Sequence, residues 1–477
     1  MALWLGLTLL LCSGFSGCRS VSSAPRAGRA PAAVQSSKQT ALDRYVAAPD
    51  TNFSYTLVNS MQTALGNVYV LELVSQAWLT TNEVDRPVWR HWLTIAVPSQ
   101  VRHATGLLFI GGGNNDRGAP RSPDGNLARV AVETESVVAE LRNVPNQPLE
   151  FYRDGHRRVE DDLIAYTWDK FLRTGDERWP ARLPMTKSAV RAMDAVTAFC
   201  ASQAGGGVKV ERFVVSGGSK RGWTTWTVAA VDRRVVAIVP SVIDVLNLVP
   251  SMQHHYAAYG FWAPAIHDYT QQNIMGWMGT PQFKKLMEIE EPFEYRTRFT
   301  MPKLMLNATG DQFFLPDSSQ FYFDQLPGEK YIRYVPNADH SLRNTDAWET
   351  LQAFYSSVLT GTGIPRFVWS LEQDGSIKVV AQDRPEEARL WHATNPKARD
   401  FRLDTFGAHW TDTPFDLSSG TGVARVAAPA QGWTAFFVEL KYRRPSGPPL
   451  KLTTQVRVVP DRVDYKFEPK PPTGAGR

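Results

Sequence analysis

The sequence predicts an α/β fold in which a mostly parallel sheet is covered by helices. Apolar runs of strand length occur around Leu107, at 137–141 and directly before Ser219. Segments with helical periodicity separate them, at 159–172 and 188–201. Strands that alternate with helices are typical of parallel strands joined by crossover helices. The β-rich entry, from 54 to 96, alternates apolar and polar residues, and no internal repeat suggests a solenoid or propeller.

Length and charge narrow the class of protein. A chain of 477 residues that is 43% hydrophobic can bury a sizeable core and form two domains. The net charge of +5 comes mainly from one segment without acidic residues, which contains Arg19, Arg26, Arg29 and Lys38. Without these four charges the remaining chain is nearly neutral, and no nucleic-acid-binding motif is present. We therefore predict no nucleic-acid partner.

The first 40 residues have the features of a targeting segment and a linker. The apolar run from Leu3 to Leu11 is too short for a membrane span and is followed by small residues, which indicates a signal peptide over 1–18. Residues 15–18 resemble a bacterial lipobox, in which Cys18 receives a lipid anchor. We therefore expect export, as a periplasmic or cell-surface lipoprotein or otherwise as a secreted protein. Residues 19–40 are rich in Ser, Ala, Pro and Arg, which predicts a disordered tether.

A nucleophile elbow is predicted around Ser219. An apolar run ends at Gly217 and Gly218, one serine follows, and a helix-like segment begins. Such a turn raises a serine hydroxyl clear of the strand and the helix. Arg221 occupies the place of the last glycine in the G-x-S-x-G pattern, and Gly222 comes one residue later. Taken alone, the short motif is also compatible with a plain glycine turn.

Two downstream strand ends supply partners for this serine. Asp311 follows the apolar run at 302–308, and His340 follows the run at 330–335. The order Ser, Asp, His is the one expected of α/β-hydrolases, so we assign Ser219 as nucleophile, His340 as general base and Asp311 as the acid that orients it. Asp244, which also follows a predicted strand, is the second candidate for the acid, and Asp339 is the third. Individually, Asp311 fits an ordinary turn and His340 a helix N-terminus.

Acyl transfer also requires donors for the oxyanion. The main-chain amide of Lys220 is one candidate. The loop after the Leu107 strand provides the others, at Gly112, Gly113 and Asn114. The alternative is a flexible turn, because no phosphate-binding pattern follows the glycines.

Two further regions flank this core. The segment at about 245–299 is rich in large residues and predicts a helical cap, with His255, Tyr256, Trp262 and Arg221 as candidates for the substrate pocket. The alternative is that the aromatic residues anchor the cap and that Arg221 forms a structural ion pair. The hydrolase domain is thus expected over 41–363. Short alternating runs then predict a small β-sandwich domain over 364–465 and a flexible tail over 466–477.

Metal and redox chemistry are not indicated. Cys200 lies in a helical segment and is expected to be a small buried apolar residue. No cluster of Cys and His has the spacing of metal ligands. We predict no metal site and no cofactor.

Several stretches together resemble the PhoPQ-activated pathogenicity-related protein family. The resemblance covers about 41 to 465 and is carried by Trp78 and by residues 85–95, 109–113, 216–224 and 310–317. It implies an exported α/β-hydrolase fold with serine chemistry. The elbow also locally resembles that of glucuronoyl esterases, where a basic residue follows the serine.

The combined prediction is an exported serine hydrolase that cleaves an ester or amide bond in a small molecule, glycan or peptide through an acyl-enzyme. Two alternatives remain open. One is an exported serine peptidase with the same triad, and the other is a non-catalytic binding or signalling protein on a hydrolase fold.

Overall fold

The computed structural model describes residues 39–121 and 124–472. The unit that begins at Thr40 is compact and extends through the C-terminal strands. Its strands are β1 (Ser54–Thr63), β2 (Gly66–Ala77), β3 (Val88–Pro98), β4 (Thr105–Ile110), β5 (Val138–Leu141), β6 (Leu149–Glu150), β7 (Arg157–Arg158), β8 (Arg212–Gly218), β9 (Val235–Ser241), β10 (Lys303–Ala308), β11 (Lys330–Val335), β12 (Phe367–Leu371), β13 (Ile377–Ala381), β14 (Glu387–Asn395), β15 (Thr411–Pro414), β16 (Thr421–Ala424), β17 (Trp433–Tyr442), β18 (Leu450–Thr453) and β19 (Arg457–Val459).

The α-helices lie mainly between the strands of the first two thirds of the chain. They are α1 (Ala41–Ala47), α2 (Gly125–Glu133), α3 (Glu160–Thr174), α4 (Arg182–Ala201), α5 (Lys220–Val231), α6 (Leu248–Tyr259), α7 (His267–Gln271), α8 (Pro281–Glu290), α9 (Ala347–Thr360) and α10 (Leu403–Phe406). No helix in the described ranges combines the length and apolarity needed to cross a bilayer.

The central sheet has the topology of an α/β-hydrolase. Its first part runs in the order β1-β2-β3-β5-β4-β8-β9-β10-β11. The strands β1, β2 and β3 are joined in antiparallel register, and β3 also pairs antiparallel with β5. From β5 to β11 every pairing is parallel. The fold class predicted from the sequence is therefore confirmed.

Helices cover both faces of the parallel strands, which explains why these strands are apolar along their whole length. In β8, the side chains of Phe213 and Val215 enter one core cluster, and Val214 enters the other. The first cluster includes residues of α4 and α5, and the second includes residues of α2 and α9. The strand thus supplies both cores with a period of two residues.

The segment between β9 and β10 is largely helical. It contains α6, α7, α8 and short 3₁₀ turns at Pro264–Ile266, Ile274–Trp277 and Pro292–Arg298. This agrees with the helical insertion predicted for about 245–299.

The C-terminal region is rich in strands, as predicted, but it is joined to the central sheet. The strand β18 pairs with β11, and the sheet continues through β17 and β14 to β15. A second sheet contains β12, β13 and β16, and the Phe367 ring lies 6.5 Å from that of Tyr442 on β17. One layer of the expected sandwich is therefore an extension of the hydrolase sheet. This pairing covers the otherwise open edge of β11.

The predicted end segments have different outcomes. The signal peptide, Cys18 and the tether up to residue 38 lie outside the described residues, whereas Thr40 caps α1 by accepting a hydrogen bond from the Asp43 amide. The tail was expected to be flexible from 466, but the Phe467 ring packs 4.8 Å from that of Trp262. Residues 473–477 are not described.

Cys200 is fully buried in α4. Burial raises the pKa of its thiol to about 12, because a thiolate would lose its hydration. The residue is a packing element, as the sequence predicts.

Candidate active site

Ser219 occupies a sharp turn between β8 and α5. Its backbone angles are φ 57° and ψ −127°, a strained conformation for a residue with a side chain. Its amide donates to the carbonyl of Ser241 on the neighbouring strand at 2.9 Å, and its carbonyl accepts from Trp223 in α5 at 2.9 Å. The surrounding sheet and helix therefore hold the strained serine in place. This is the geometry of a nucleophile elbow.

Two glycines allow this turn to pack tightly. A Cβ on Gly217 would lie 2.8 Å from the Arg221 carbonyl oxygen, and a Cβ on Gly222 would lie 2.8 Å from the Ser241 carbonyl oxygen. Gly222 makes the close approach to β9. The shift of the last glycine by one residue is thus compatible with an elbow.

We expect Gly222→Ala to lower the free energy of unfolding by about 1–3 kcal/mol, because the added methyl group meets rigid backbone. Chemical denaturation would measure the change. Gly118→Ala is the matched control, since a Cβ there has no neighbour within 4 Å among the described residues. Equal stability of the two variants would contradict the tight packing at Gly222.

His340 and Asp311 are brought together by the turns after β11 and β10. The Nδ1 atom of His340 lies 2.8 Å from Oδ2 of Asp311. The other oxygen, Oδ1, accepts the amides of Phe313 at 2.7 Å and Phe314 at 3.3 Å. The His340 amide donates to the side chain of Gln312 at 3.0 Å. Both side chains of the pair are therefore held by the same loop.

The second nitrogen of the His340 ring is available for chemistry. Nε2 is buried and makes no hydrogen bond within the described part of the chain, including to Ser219. Catalytic hydrogen bonds are often long before substrate binds. Ser219 and His340 nevertheless line the same cleft. The ring thus has one nitrogen fixed by a carboxylate, and its other nitrogen has no partner among the described residues.

The alternative acids are engaged elsewhere. Asp244 is 3% exposed, and its two oxygens accept the hydroxyls of Tyr322 and Tyr334, each at 2.6 Å. Asp339 accepts the amide and hydroxyl of Ser341 at 2.9 and 2.6 Å. The His340 ring is therefore paired with Asp311, the first choice from the sequence.

The buried carboxyl of Asp244 predicts a specific pH dependence of stability. Burial raises its pKa to about 7 and outweighs the two hydroxyl donors, which favour the charged form. An unfolded Asp has a pKa of about 3.9, so the stabilising contribution is fully present below that value and is lost as the pH rises towards 7. We expect this contribution to fall by about 1 kcal/mol per pH unit across that interval.

The variant Asp244→Asn should remove this slope, because the amide does not titrate. Denaturation of both proteins at several pH values between about 4 and 7 would measure the difference. The other titrating groups cancel in that comparison. Parallel stability curves would contradict a raised pKa at Asp244.

The predicted oxyanion donors lie on adjacent strand ends. The Lys220 amide is in the first turn of α5, where main-chain N–H groups have no partner within the helix. The loop of Gly112 to Asn114 follows β4, which pairs in parallel with β8 so that Ile110 faces Gly217. Among the hydrogen bonds between described residues, none uses the main-chain N–H groups of Gly112, Gly113 or Asn114. These three N–H groups therefore remain available as hydrogen-bond donors.

The sequence of this chain is similar to those of known proteins. The sequence matches the PhoPQ-activated pathogenicity-related protein family over residues 42–402. The chain belongs to this family. It is also similar to autocrine proliferation repressor protein A from Dictyostelium discoideum, with 39% identity over 464 residues, which cover 91% of this chain and 93% of that protein.

Solved structures give more distant matches to this family member. Acetyl xylan esterase 1 from Thermoanaerobacterium sp. JW/SL YS485 has a TM-score of 0.45 and 16% identity, covering 67% of this chain and 91% of that one. A glucuronoyl esterase from Solibacter usitatus has a TM-score of 0.37 and 14% identity, again covering 67% and 91%.

The charged side chains after the serine are neutralised within this PhoPQ-related protein. Lys220 Nζ lies 2.9 Å from Glu160 and 3.1 Å from Asp161, and Arg221 lies 2.6 Å from Glu160. Although burial favours the neutral acid, the Arg221 and Lys220 cations hold the pKa of Glu160 well below its usual range. The structure thus agrees with the structural ion pair that the sequence left open for Arg221.

The other three predicted pocket residues anchor the cap in this PhoPQ-related protein. His255 accepts the Ala263 amide at 3.0 Å, and burial lowers the pKa of its ring to about 3. The rings of Tyr256 and Trp262 contact Phe467 at 5.2 and 4.8 Å. None of them, and not Arg221, lines the two cavities that Ser219 borders. These aromatic side chains therefore pack within the protein, in agreement with the alternative prediction that they anchor the cap.

Sequence reasoning missed the side chains that do surround the serine in this family member. Ser219 borders an apolar cavity of about 50 Å³ and a more polar cleft of about 550 Å³. Phe313 and Phe314 line the apolar cavity and contact the His340 ring, with ring centres 4.3 and 6.0 Å away. Phe313 and Phe314 follow Asp311 by two and three residues, and this closeness in the sequence could have indicated their place near the serine.

Proposed function

We propose that this protein is a serine hydrolase with the triad Ser219, His340 and Asp311. The observation that carries the proposal is the His340 ring. It is fixed by Asp311 at Nδ1, its Nε2 has no hydrogen-bond partner among the described residues, and His340 lines the same cleft as Ser219. The strained elbow supplies the second support, since it presents the serine at the end of the parallel sheet.

In the first half of the reaction, Ser219 Oγ attacks the substrate carbonyl and passes its proton to Nε2 of His340. Asp311 stabilises the resulting imidazolium. The oxyanion accepts hydrogen bonds from the Lys220 amide and from the loop of Gly112 to Asn114, where each donor is worth about 3–4 kcal/mol in related chemistry.

In the second half, the leaving group takes the proton from Nε2 as its bond to the acyl carbon breaks. A water molecule then gives a proton to Nε2 of His340 and attacks the acyl carbon. As the bond between that carbon and Ser219 Oγ breaks, His340 returns the proton to Oγ, which releases the acid and restores both side chains. This sequence applies to both ester and amide substrates, so an esterase and a peptidase share it.

The relative from Dictyostelium favours a second candidate function. Its name describes repression of proliferation, and it is 39% identical to this chain over 464 residues. This similarity supports a signalling protein that retains the hydrolase fold without turnover. Such a protein would not require an accessible, activated Ser219.

Active-site labelling distinguishes the two candidates. We expect a fluorophosphonate probe to label the folded wild-type protein and not Ser219→Ala, because only an activated serine attacks the phosphorus. The control is Ser341→Ala, since Ser341 also lines the cleft but bonds to Asp339. Labelling that persists in Ser219→Ala, or none in the folded wild type, would contradict the hydrolase. Profiling with esters and peptides then separates an esterase from a peptidase.

We also propose export, on the basis of the N-terminal sequence alone. The apolar run and the lipobox-like residues 15–18 support processing before Cys18, with lipid attached to that cysteine. Labelling with a radioactive fatty acid in a bacterial host should mark the wild type and spare Cys18→Ser. An unprocessed N-terminus in both would contradict export by this route.

A further inference from the structure

Ser219 lies where two cavities of different size and polarity meet. The apolar cavity has a volume of about 50 Å³, and the cleft has a volume of about 550 Å³. We propose that the substrate is an ester between a short apolar acyl group and a bulky polyhydroxylated alcohol. This inference rests on the proposed function, because it assigns the two sides of the bond that Ser219 would cleave.

The proton path decides which cavity takes which part of the substrate. His340 must reach the oxygen of the leaving group, since it protonates that atom as the bond breaks. His340 lines the large cleft and does not line the apolar cavity. The leaving alcohol therefore occupies the cleft, and the acyl group occupies the apolar cavity on the other side of Ser219.

The apolar cavity limits the acyl group to a short chain. At about 50 Å³ the cavity is roughly a tenth of the size of the cleft at about 550 Å³, so it suits the smaller part of the substrate. Its walls are formed by large side chains, among them Trp168, Trp223, Met252, Met275 and Phe314. We therefore expect acyl groups from acetyl to butanoyl to be preferred over an octanoyl chain.

The charged groups of this cavity are already paired. Asp161 contacts Lys220 at 3.1 Å and accepts the Tyr269 hydroxyl at 2.9 Å. Arg182, which also lines the cavity, is paired with Glu290 at 3.2 Å. A charged acyl group would have to be desolvated without a free partner, which is unfavourable. The cavity therefore selects uncharged acyl groups.

The cleft offers a different surface. Half-buried rings of Phe109 and Trp348, whose centres are 5.2 Å apart, border it together with Asn126, Arg343 and Asn344. Apolar walls with a few polar groups that fix orientation are typical of small-molecule sites. Aromatic rings pack against the C–H face of a sugar, and amide and guanidinium groups bond its hydroxyls. The cleft thus fits a polyhydroxylated alcohol of at least one ring.

Acyl-chain selectivity tests the first part of the inference. We expect kcat/KM to fall at least 100-fold from 4-nitrophenyl butanoate to the octanoate in the wild type. Met252→Ala enlarges the cavity and should raise the octanoate-to-acetate ratio at least tenfold. The control Met287→Ala removes a methionine that is also buried in the cap but lies outside the cavity walls, so the ratio should stay unchanged.

A second substitution in the cavity wall distinguishes an effect on the cavity from an effect of misfolding in Met252→Ala. Phe314→Ala changes a half-buried residue and should shift the ratio in the same direction as Met252→Ala. A wild type that hydrolyses octanoate as fast as butanoate, or wall variants with an unchanged ratio, would overturn the assignment of the acyl cavity.

The alcohol is tested with acetate esters. We expect an acetylated disaccharide to have at least tenfold higher kcat/KM than ethyl acetate, and Trp348→Ala should remove this advantage. Equal kcat/KM for the two acetates would overturn the second part. Fluorophosphonate labelling of Ser219 is measured in parallel. A labelled protein with the wrong selectivity overturns the inference and leaves the hydrolase intact, whereas an unlabelled folded protein overturns both.

Discussion

Replacing Asp311 by asparagine should lower kcat for ester hydrolysis by about 10⁴-fold, as expected when the acid of a serine triad is neutralised. The carboxylate accepts from His340 Nδ1 at 2.8 Å and is fixed by the amides of Phe313 and Phe314. An amide at this place would favour the wrong tautomer of the ring and would not stabilise the imidazolium. Turnover of 4-nitrophenyl acetate, measured after circular dichroism has confirmed the fold, tests this expectation.

Asp244→Asn is the matched control, because both residues are buried aspartates at the ends of neighbouring parallel strands. Asp244 bonds to Tyr322 and Tyr334, so its replacement should change kcat less than tenfold. The opposite result, with a large loss in Asp244→Asn and a small one in Asp311→Asn, would transfer the role of the acid to Asp244.

The second large effect concerns the buried ion pair that contacts α5. Arg182 is 1% exposed and lies 3.2 Å from the fully buried Glu290. It also donates to the carbonyl of Lys220 at 2.5 Å and to the hydroxyl of Thr224 at 3.3 Å. Arg182→Leu should lower the free energy of unfolding by about 3–5 kcal/mol, because it leaves a buried carboxylate without its cation. Denaturation with guanidinium chloride measures this change.

Two comparisons isolate the buried charge as the cause. The double variant Arg182→Leu, Glu290→Gln should regain part of the loss, since no uncompensated charge remains. Arg366→Ala breaks an exposed pair with Asp383 and should change stability by less than about 1 kcal/mol. If Arg182→Leu were as mild as Arg366→Ala, the Arg182–Glu290 pair would not be the structural element described above.

Sequence reasoning worked best where local patterns determine the outcome. The parallel strands are apolar on both faces, and turns with glycine, aspartate or histidine follow them. The positions of Ser219, Asp311 and His340 at the ends of these strands could therefore be predicted, while their catalytic roles stay a proposal. The sharp turn at Ser219 forms although the sequence motif is imperfect. The glycine that packs closely against Ser241 is Gly222, one residue later than the pattern requires. These features are determined by residues that lie close together in the sequence.

The sequence was less informative about features that depend on contacts between residues far apart in the chain. Alternation predicts the C-terminal strands but does not state that β18 pairs with β11, since register and partner depend on the assembled sheet. The aromatic residues of the cap could equally fill a core or face a substrate. Tyr256 and Trp262 pack on Phe467, more than two hundred residues away in the chain, and no local pattern indicates that contact.

The pairing of β18 with β11 also constrains when the central sheet can be completed. When His340 has just emerged during synthesis, the chain still lacks β18, the strand that covers β11. It also lacks Arg399, which forms an ion pair with Asp317 in the loop after Asp311. The edge of β11 and the loop after Asp311 therefore gain these contacts only after the later strands have been synthesised. Until then, the edge of β11 would be open to pairing with strands of other chains.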